Sequence, residues 1–468
     1  MNFISLHFLT LIVLTISLTK IAKTARQQNI IVIIANVVFY SFWSLQYLCL
    51  LIIESTMLFF ISKKICYSPN TKFRKILLSL GVTLPLLLLG IFKYYNFFIS
   101  SFKRFGLSTN SINIIVPIGI SFHSFMMISF IVDSYFGKVE KIDIFEMLSY
   151  SIFFPTILSG PVCKSRNIIP QFKKHRILNN DCFKDSLSRF TIGVFKKVVI
   201  ADRLSVYVDA VFSTPKAYSW ITLIIASVAY SLQLYFDFSG YSDMAIAVAN
   251  SIGIRIDENF LFPYISKNPT EFWKRWHISL SSWLQEYLYI PLGGNRKGKY
   301  RTYLNLIITM VLGGMWHGAN WTYVLWGFIH GIALVLHKMF VKITSSVCRL
   351  RNNKFTEIEE IIFIIINYVF VSLCWIIFRS DSIDTAFTIF KRIFTLAKGI
   401  DYFYVYTFVY LFGLMIIQFI IMKRRDINNN FIALDLNNFL NKIILCGMIL
   451  IILSVGYYGD TAFIYGHF

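Results

Sequence analysis

The chain has 468 residues, of which 56% are hydrophobic, 17% aromatic and only 15% charged, with a mean hydropathy of +0.62. A soluble globular chain is about a quarter charged, so this composition excludes a large soluble core and indicates an all-α, polytopic membrane protein. The net charge of +21 comes from 45 Lys and Arg against 24 Asp and Glu, and the cations cluster between apolar blocks. That placement points to loops facing an anionic leaflet of the lipid bilayer and argues against nucleic acid as a partner. Seven cysteines, at 49, 66, 163, 182, 348, 374 and 446, lack CxxC or CxH spacing, a pattern that offers neither a disulfide framework nor a zinc site.

The first apolar block, 4–19, has no basic segment before it and no small-residue cleavage site, and reads as a retained span. Lys20, Lys23 and Arg26 follow it, which places the N-terminus outside and this loop in the cytoplasm. Further apolar blocks run near 29–46, 47–62, 76–97, 112–132, 145–160, 188–212, 217–237, 241–254, 302–314, 319–341, 359–378, 403–422 and 442–458. Those at 145–160, 241–254 and 302–314 fall short of the roughly 17–25 residues of a full span and are expected to be re-entrant or broken. The blocks together predict about ten to twelve transmembrane helices plus one or two re-entrant segments, in one membrane domain over 1–468 with its core motifs in 112–345. The basic loops, Lys63 to Lys75, Lys164 to Lys184, Lys267 to Arg301, Lys338 to Lys354 and Lys423 to Arg425, suggest a common side.

Two segments carry helix breakers inside apolar sequence: VPIGISFHSF (116–125), with Pro117 and Gly119, and LSGPV (158–162), with Gly160 and Pro161. Irregular backbone at membrane depth is tolerated where it lines a cavity, and His123 either lines that cavity or packs beside Phe122 and Phe125. In QLYFDFSGYSDMA, the residues Gln233, Asp237, Ser239, Tyr241 and Asp243 form a polar cluster that Gly240 is expected to kink. Carboxylates facing lipid cost several kcal/mol, so this cluster should line a cavity, binding substrate or, for Asp237 in particular, holding the bundle together.

EFWKRWHISLSSWL sets His277 among Trp273, Trp276 and Trp283, behind Lys274 and Arg275. This is the pattern of an interfacial amphipathic segment, which either presents an anionic acyl donor to the membrane or merely anchors the chain. PLGGNRKGKYR adds a glycine turn before Arg296, Lys297, Lys299 and Arg301, a phosphate cradle or a solvated basic loop. GGMWHGANW holds His317. An imidazole can take a proton from a hydroxyl at neutral pH, Gly313, Gly314 and Gly318 allow close approach, and Trp316 and Trp321 wall out water. The competing role for His317 is a hydrogen-bonded packing residue between helices. The 40 residues between the two histidines (317 − 277) match no metal-binding pattern.

These motifs, in this order, resemble the membrane-bound O-acyltransferase family, in particular its branch serving alginate, peptidoglycan and teichoic acid. The resemblance runs from VPIGISFHSF and FFPTILSGPV through YFDFSGYSDMAI, FWKRWHISLSSWLQEYLYIPLGGNRKG and MWHGANWTYVLWGFIHG to CWIIFRSDSIDTAF. It implies a ring of tilted helices around a central tunnel, His317 as the active-site histidine and His277 as the second functional polar position. His123 departs from the Tyr or Phe usual after ISF in relatives, which puts only the cavity wall in question.

The combined expectation is an enzyme moving an acyl group, acetyl first, from a cytoplasmic thioester donor to a cell-envelope polysaccharide, an alginate-like exopolysaccharide or peptidoglycan. D-alanyl transfer to teichoic acid, and acyl transport without chemistry, are the alternatives. His317 would be general base and His277 would place the donor. Asn320 and the amides of Gly318 and Ala319 would face the oxyanion, and Trp316, Asp237, Ser239, Tyr241, Arg296 and Lys297 would contact substrate. No bound cofactor or metal is expected beyond the acyl donor, acetyl-CoA or an acyl carrier. The resemblance further implies a periplasmic or surface-anchored esterase-like acetyltransferase as partner, and a multi-pass location in the bacterial inner membrane.

Overall fold

The 32 residues Trp220–Ser251 form one uninterrupted helix, so the kink expected at Gly240 and the separate short block at 241–254 do not occur. Gly240 serves contact instead. A Cβ on it would sit 2.8 Å from the Gly193 carbonyl oxygen, and one on Gly193 would sit 2.7 Å from that of Gly240. The paired glycines let this helix meet Asn180–Val194 backbone to backbone, as small residues do between membrane helices. That neighbour and the stretch Phe195–Ala201 that continues it neutralise the carboxylates: Lys197 Nζ lies 2.6 Å from Asp237 Oδ1 and 2.8 Å from Asp202 Oδ1, and Asp243 takes Arg189 at 2.9 Å and Lys196 at 2.7 Å. With its charges paired, the helix can stay buried without breaking.

The computed structural model describes residues 1, 3–103, 112, 114–139, 141–348, 357–424 and 434–459; Lys354 and Arg425, the ends of two basic loops, lie outside them. Among the described residues the fold is all-α, with one isolated β-bridge between Tyr218 and Ile400. Five helices are individually long and apolar enough to cross a membrane: Leu45–Tyr67, Thr71–Lys103, Trp220–Ser251, Trp321–Ile343 and Glu357–Arg379. Leu6–Ile21 and Phe439–Val455 are shorter apolar helices, and Val405–Arg424 is a further helix of 20 residues. This is a polytopic helical membrane protein. The ten to twelve spans read from hydropathy also count apolar blocks in helices that are shorter or more charged than these five. Block 188–212, for example, lies in an unbroken helical run over 180–213, with the π-helical stretch Phe195–Ala201 at its middle, that carries Arg189, Lys196, Lys197, Asp202 and Arg203.

Block 145–160 is broken, as its Gly-Pro end suggests: the helix Ile144–Ser151 gives way to turns over 152–160. Backbone groups there find partners inside the protein, the Phe154 amide donating to Asn36 Oδ1 at 2.9 Å and the Gly160 amide to the Thr156 carbonyl at 3.0 Å. The two breaker motifs meet, since Gly119, at φ 77°, leaves room where a Cβ would come within 2.3 Å of the Ile157 carbonyl oxygen.

Block 302–314 is not broken; it is the middle of the regular helix Lys299–His317. Three residues, Gly318 to Asn320, turn the chain into Trp321–Cys348, and the two helices lie against each other as a hairpin. Glycines again set the spacing. A Cβ on Gly314 would meet the Tyr323 carbonyl oxygen at 2.2 Å, and one on Gly327 that of Met310 at 2.3 Å.

Candidate active site

His317 is the last residue of the Lys299–His317 helix and is 1% exposed. Its ring is walled by Trp316, Trp326 and Phe378, with centroids 5.1, 5.3 and 5.4 Å away. The His277 ring lies 6.4 Å away on the fourth side. Forty residues apart in sequence, the two histidines share one aromatic chamber.

His277 is fully buried, which rules out the interfacial anchor pointing at water. It sits at φ 45°, a left-handed conformation uncommon for a residue with a side chain, and it opens the helix Ile278–Leu284. Strain of this kind persists where surrounding contacts hold it, and here Asn259 does so. The Ile278 amide donates to the Asn259 carbonyl at 2.9 Å. Asn259 Oδ1 accepts from the Ser279 hydroxyl at 2.8 Å and from the Ser279 amide at 3.3 Å, and lies 3.1 Å from His277 Nδ1. A backbone amide can only donate, so the oxygen of Asn259 is the atom facing it, and His277 Nδ1 must carry its hydrogen towards that oxygen. Nε2 is therefore the acceptor nitrogen of the neutral ring. Ser279 Oγ also accepts the Val162 amide at 2.9 Å, which ties the LSGPV turn to this cluster.

Asn259 was not singled out in the sequence, and nothing local marks it. Its importance comes from contacts with residues 18 and 20 positions away. On its other side Asn259 Nδ2 donates to Ser242 Oγ at 3.1 Å. Asn259, Ser242 and Ser239 line a cavity of 330 Å³ together with Arg189, Lys196, Asp243 and Glu258. The cavity thus backs onto the group that orients His277.

Other sequence candidates lie elsewhere. Asp237 is engaged with Lys197 in a buried ion pair. Tyr241 stacks on Phe3 with centroids 4.8 Å apart, securing the N-terminal segment. Asn320 does not face the histidines: its Nδ2 donates to the Asp381 carbonyl at 2.8 Å and its Oδ1 accepts the Thr322 amide at 3.1 Å, so it caps the second helix of the hairpin. The Gly318 amide is likewise used, donating to the Met315 carbonyl at 3.1 Å. Two of the three oxyanion donors expected in this turn, Asn320 and the Gly318 amide, are therefore spent on ending one helix and starting the next.

Arg296 and Lys297 are exposed on a turn where Gly293, Gly294 and Gly298 all have positive φ. They stand beyond the opposite end of a 19-residue helix from His317, roughly 27 Å away at 1.5 Å per residue. A group bound there can reach the histidines only through a long arm. His123 is held on both nitrogens, Nδ1 2.9 Å from the Ser151 carbonyl oxygen and Nε2 3.3 Å from Glu54, which makes it an internal strut. Trp316 does line the chamber, its Nε1 donating to the Ser121 carbonyl at 3.3 Å. Lys93 was missed: it is buried and donates to the Trp316 carbonyl at 2.6 Å, next to Tyr94, whose hydroxyl donates to the Met315 carbonyl at 2.7 Å. A single lysine in a leucine-rich block is the signal that could have found it.

Two buried histidines facing one another at the turn of a membrane hairpin, one with its proton position fixed, define a helical membrane enzyme equipped to handle a proton away from bulk water. Residues 31–380 match the membrane-bound O-acyltransferase family, and the chain belongs to that family. It is similar to the probable alginate O-acetylase of Azotobacter vinelandii, 39% identical over 381 residues that cover 79% of this chain and 73% of the relative. It is also similar to the peptidoglycan O-acetyltransferase of Helicobacter pylori, 35% identical over 400 residues covering 79% and 74%. The teichoic acid D-alanyltransferase of Bacillus subtilis is 29% identical over 276 residues, covering 57% and 69%.

Proposed function

We propose that this enzyme, in the inner membrane of a bacterium, moves acetyl from a cytoplasmic thioester donor onto an acceptor hydroxyl for O-acetylation of an extracytoplasmic cell-envelope polysaccharide, an alginate-like exopolysaccharide or peptidoglycan. The observation that carries the reading is the chamber itself, with His317 and His277 6.4 Å apart and closed to water. Acetyl is preferred to D-alanyl because the relatives named for O-acetylation are the more similar and are matched over more of this chain. His317 acts as general base on the acceptor hydroxyl, a contribution typically of about 10²–10⁴-fold. His277 places the donor, with Trp316 as chamber wall and Ser239 at the cavity behind Asn259. Arg296 and Lys297 hold the distant phosphate end of the donor. Delivery to the polymer is completed by a separate esterase-like acetyltransferase outside the membrane.

The test is transfer of labelled acetyl from an acetyl thioester by the purified protein in liposomes; a protein that binds the donor and releases it unreacted on the far side would replace acyl transfer with transport. In the same assay His277→Ala raises the apparent KM for the donor and impairs turnover less completely than loss of His317. Unchanged kcat and KM would remove His277 from donor placement. Reversing the distant charges, Arg296→Glu with Lys297→Glu, weakens donor use at low salt and flattens the salt dependence of the rate, because exposed charges are screened over about 8–10 Å at physiological ionic strength. A normal rate and salt slope per correctly inserted molecule would leave this turn as a topological anchor.

A further inference from the structure

Lys93 lies in the helical run Thr71–Lys103, whose neighbouring residues Leu86, Leu87 and Ile91 are about half exposed on an apolar surface. It does not point outward with them. Gly90–Tyr94 is a π-helical turn, and one extra residue in a turn rotates the downstream side chains by about 100°. The lysine is 9% exposed, with Nζ donating to the Trp316 carbonyl at 2.6 Å and to Ser121 Oγ at 2.9 Å and standing 5.8 Å from the centre of the Trp316 ring. Among the described residues no carboxylate lies within ion-pairing distance of Lys93, and both its partners are neutral oxygens. An ammonium has three N–H donors, and a buried cation without a counter-ion is costly enough to call for a functional reason.

We infer that Lys93 is a catalytic residue, its remaining N–H donating to the thioester carbonyl oxygen as negative charge develops there. The inference rests on the acyl-transfer reading above. It supplies the oxyanion donor that Asn320 and the Gly318 amide do not. The acceptor oxygen forms a bond to the thioester carbon while its proton passes to His317, and the carbonyl π pair moves onto oxygen, facing Lys93. When the carbonyl re-forms, the C–S bond breaks, its pair leaves on sulfur, and the imidazolium proton goes to the thiolate. Ester and free thiol result, and Lys93 keeps all its protons. Fixing the ammonium to the peptide next to His317 places base and oxyanion donor on one rigid element, so neither has to be reorganised during the reaction.

The experiment compares wild type, Lys93→Met and Lys93→Gln in liposomes with an acetyl thioester and a soluble hydroxyl acceptor, reading kcat, donor KM and thermal unfolding. A wild-type protein that transfers nothing would count against the acyl-transfer reading, not against Lys93. Given wild-type transfer, both variants lose about 10²–10³-fold in kcat with donor KM changed only a few-fold, the size expected for one oxyanion donor. Gln retains a donor for the Trp316 carbonyl, so a purely structural lysine predicts a near-normal K93Q, and turnover by K93Q or K93M within about threefold of wild type overturns the inference. Should neither variant accumulate, His317→Ala protein loaded with ¹³C-carbonyl donor reads the contact by infrared spectroscopy. A carbonyl stretch lowered from that of the free donor is expected; an unshifted or raised one overturns the inference.

Discussion

Replacing His317 by Ala lowers acetyl transfer by roughly 10²–10⁴-fold, the range of a positioned general base, while the protein still inserts and accumulates. The ring's neighbours are Trp316, Trp326, Phe378 and His277. Losing the imidazole removes the proton acceptor and leaves the glycine-set spacing of the hairpin intact. Esterified acetate on isolated wall material, divided by membrane protein level, measures the effect in cells, and transfer in liposomes measures it directly. Acetylation retained at normal abundance would take His317 out of the mechanism and leave the chamber as packing. The His277→Ala variant sharpens the comparison, because it removes a ring of the same size from the same chamber but with a donor-placing role.

The second large effect concerns folding. Lys197→Met removes the cation that lies 2.6 and 2.8 Å from Asp237 and Asp202, and breaking one side of a buried ion pair costs about 3–5 kcal/mol. The protein then accumulates poorly or unfolds at lower temperature in detergent. Removing the charges together, Lys197→Met with Asp237→Leu and Asp202→Leu, recovers much of that stability, since well-packed apolar residues in place of a buried pair are often neutral or better. Equal losses in the single and triple variants would show that packing, not charge compensation, sets the stability of this site. The rate per folded molecule stays near wild type, because Asp237 supports the central helix and does not touch the reacting groups.

Composition and local pattern carry the class of this protein and mark its two histidines as candidates. Apolar blocks, basic loops and the glycine-flanked WHGANW are properties of neighbouring residues, so they are legible in the chain: bilayer thickness and backbone polarity leave helices as the economical solution for such sequence. A cluster such as Asp237, Ser239, Tyr241 and Asp243 is also visible, but its meaning is not local. Successive residues on a helix point in different directions, and the packed helix sends Asp237 to Lys197, Tyr241 to Phe3, and Ser239 to the cavity. Gly240 looks like a break for the same reason, until Gly193 is seen against it. Tertiary structure alone brings His277 to His317 across 40 residues, places Asn259 to set the His277 proton, turns Asn320 away into a cap, and rotates Lys93 inward on a π-helical turn. Spacing along a chain specifies which face a residue shares with its own helix; which foreign groups it meets depends on long-range packing, and the chamber's chemistry is made of those meetings.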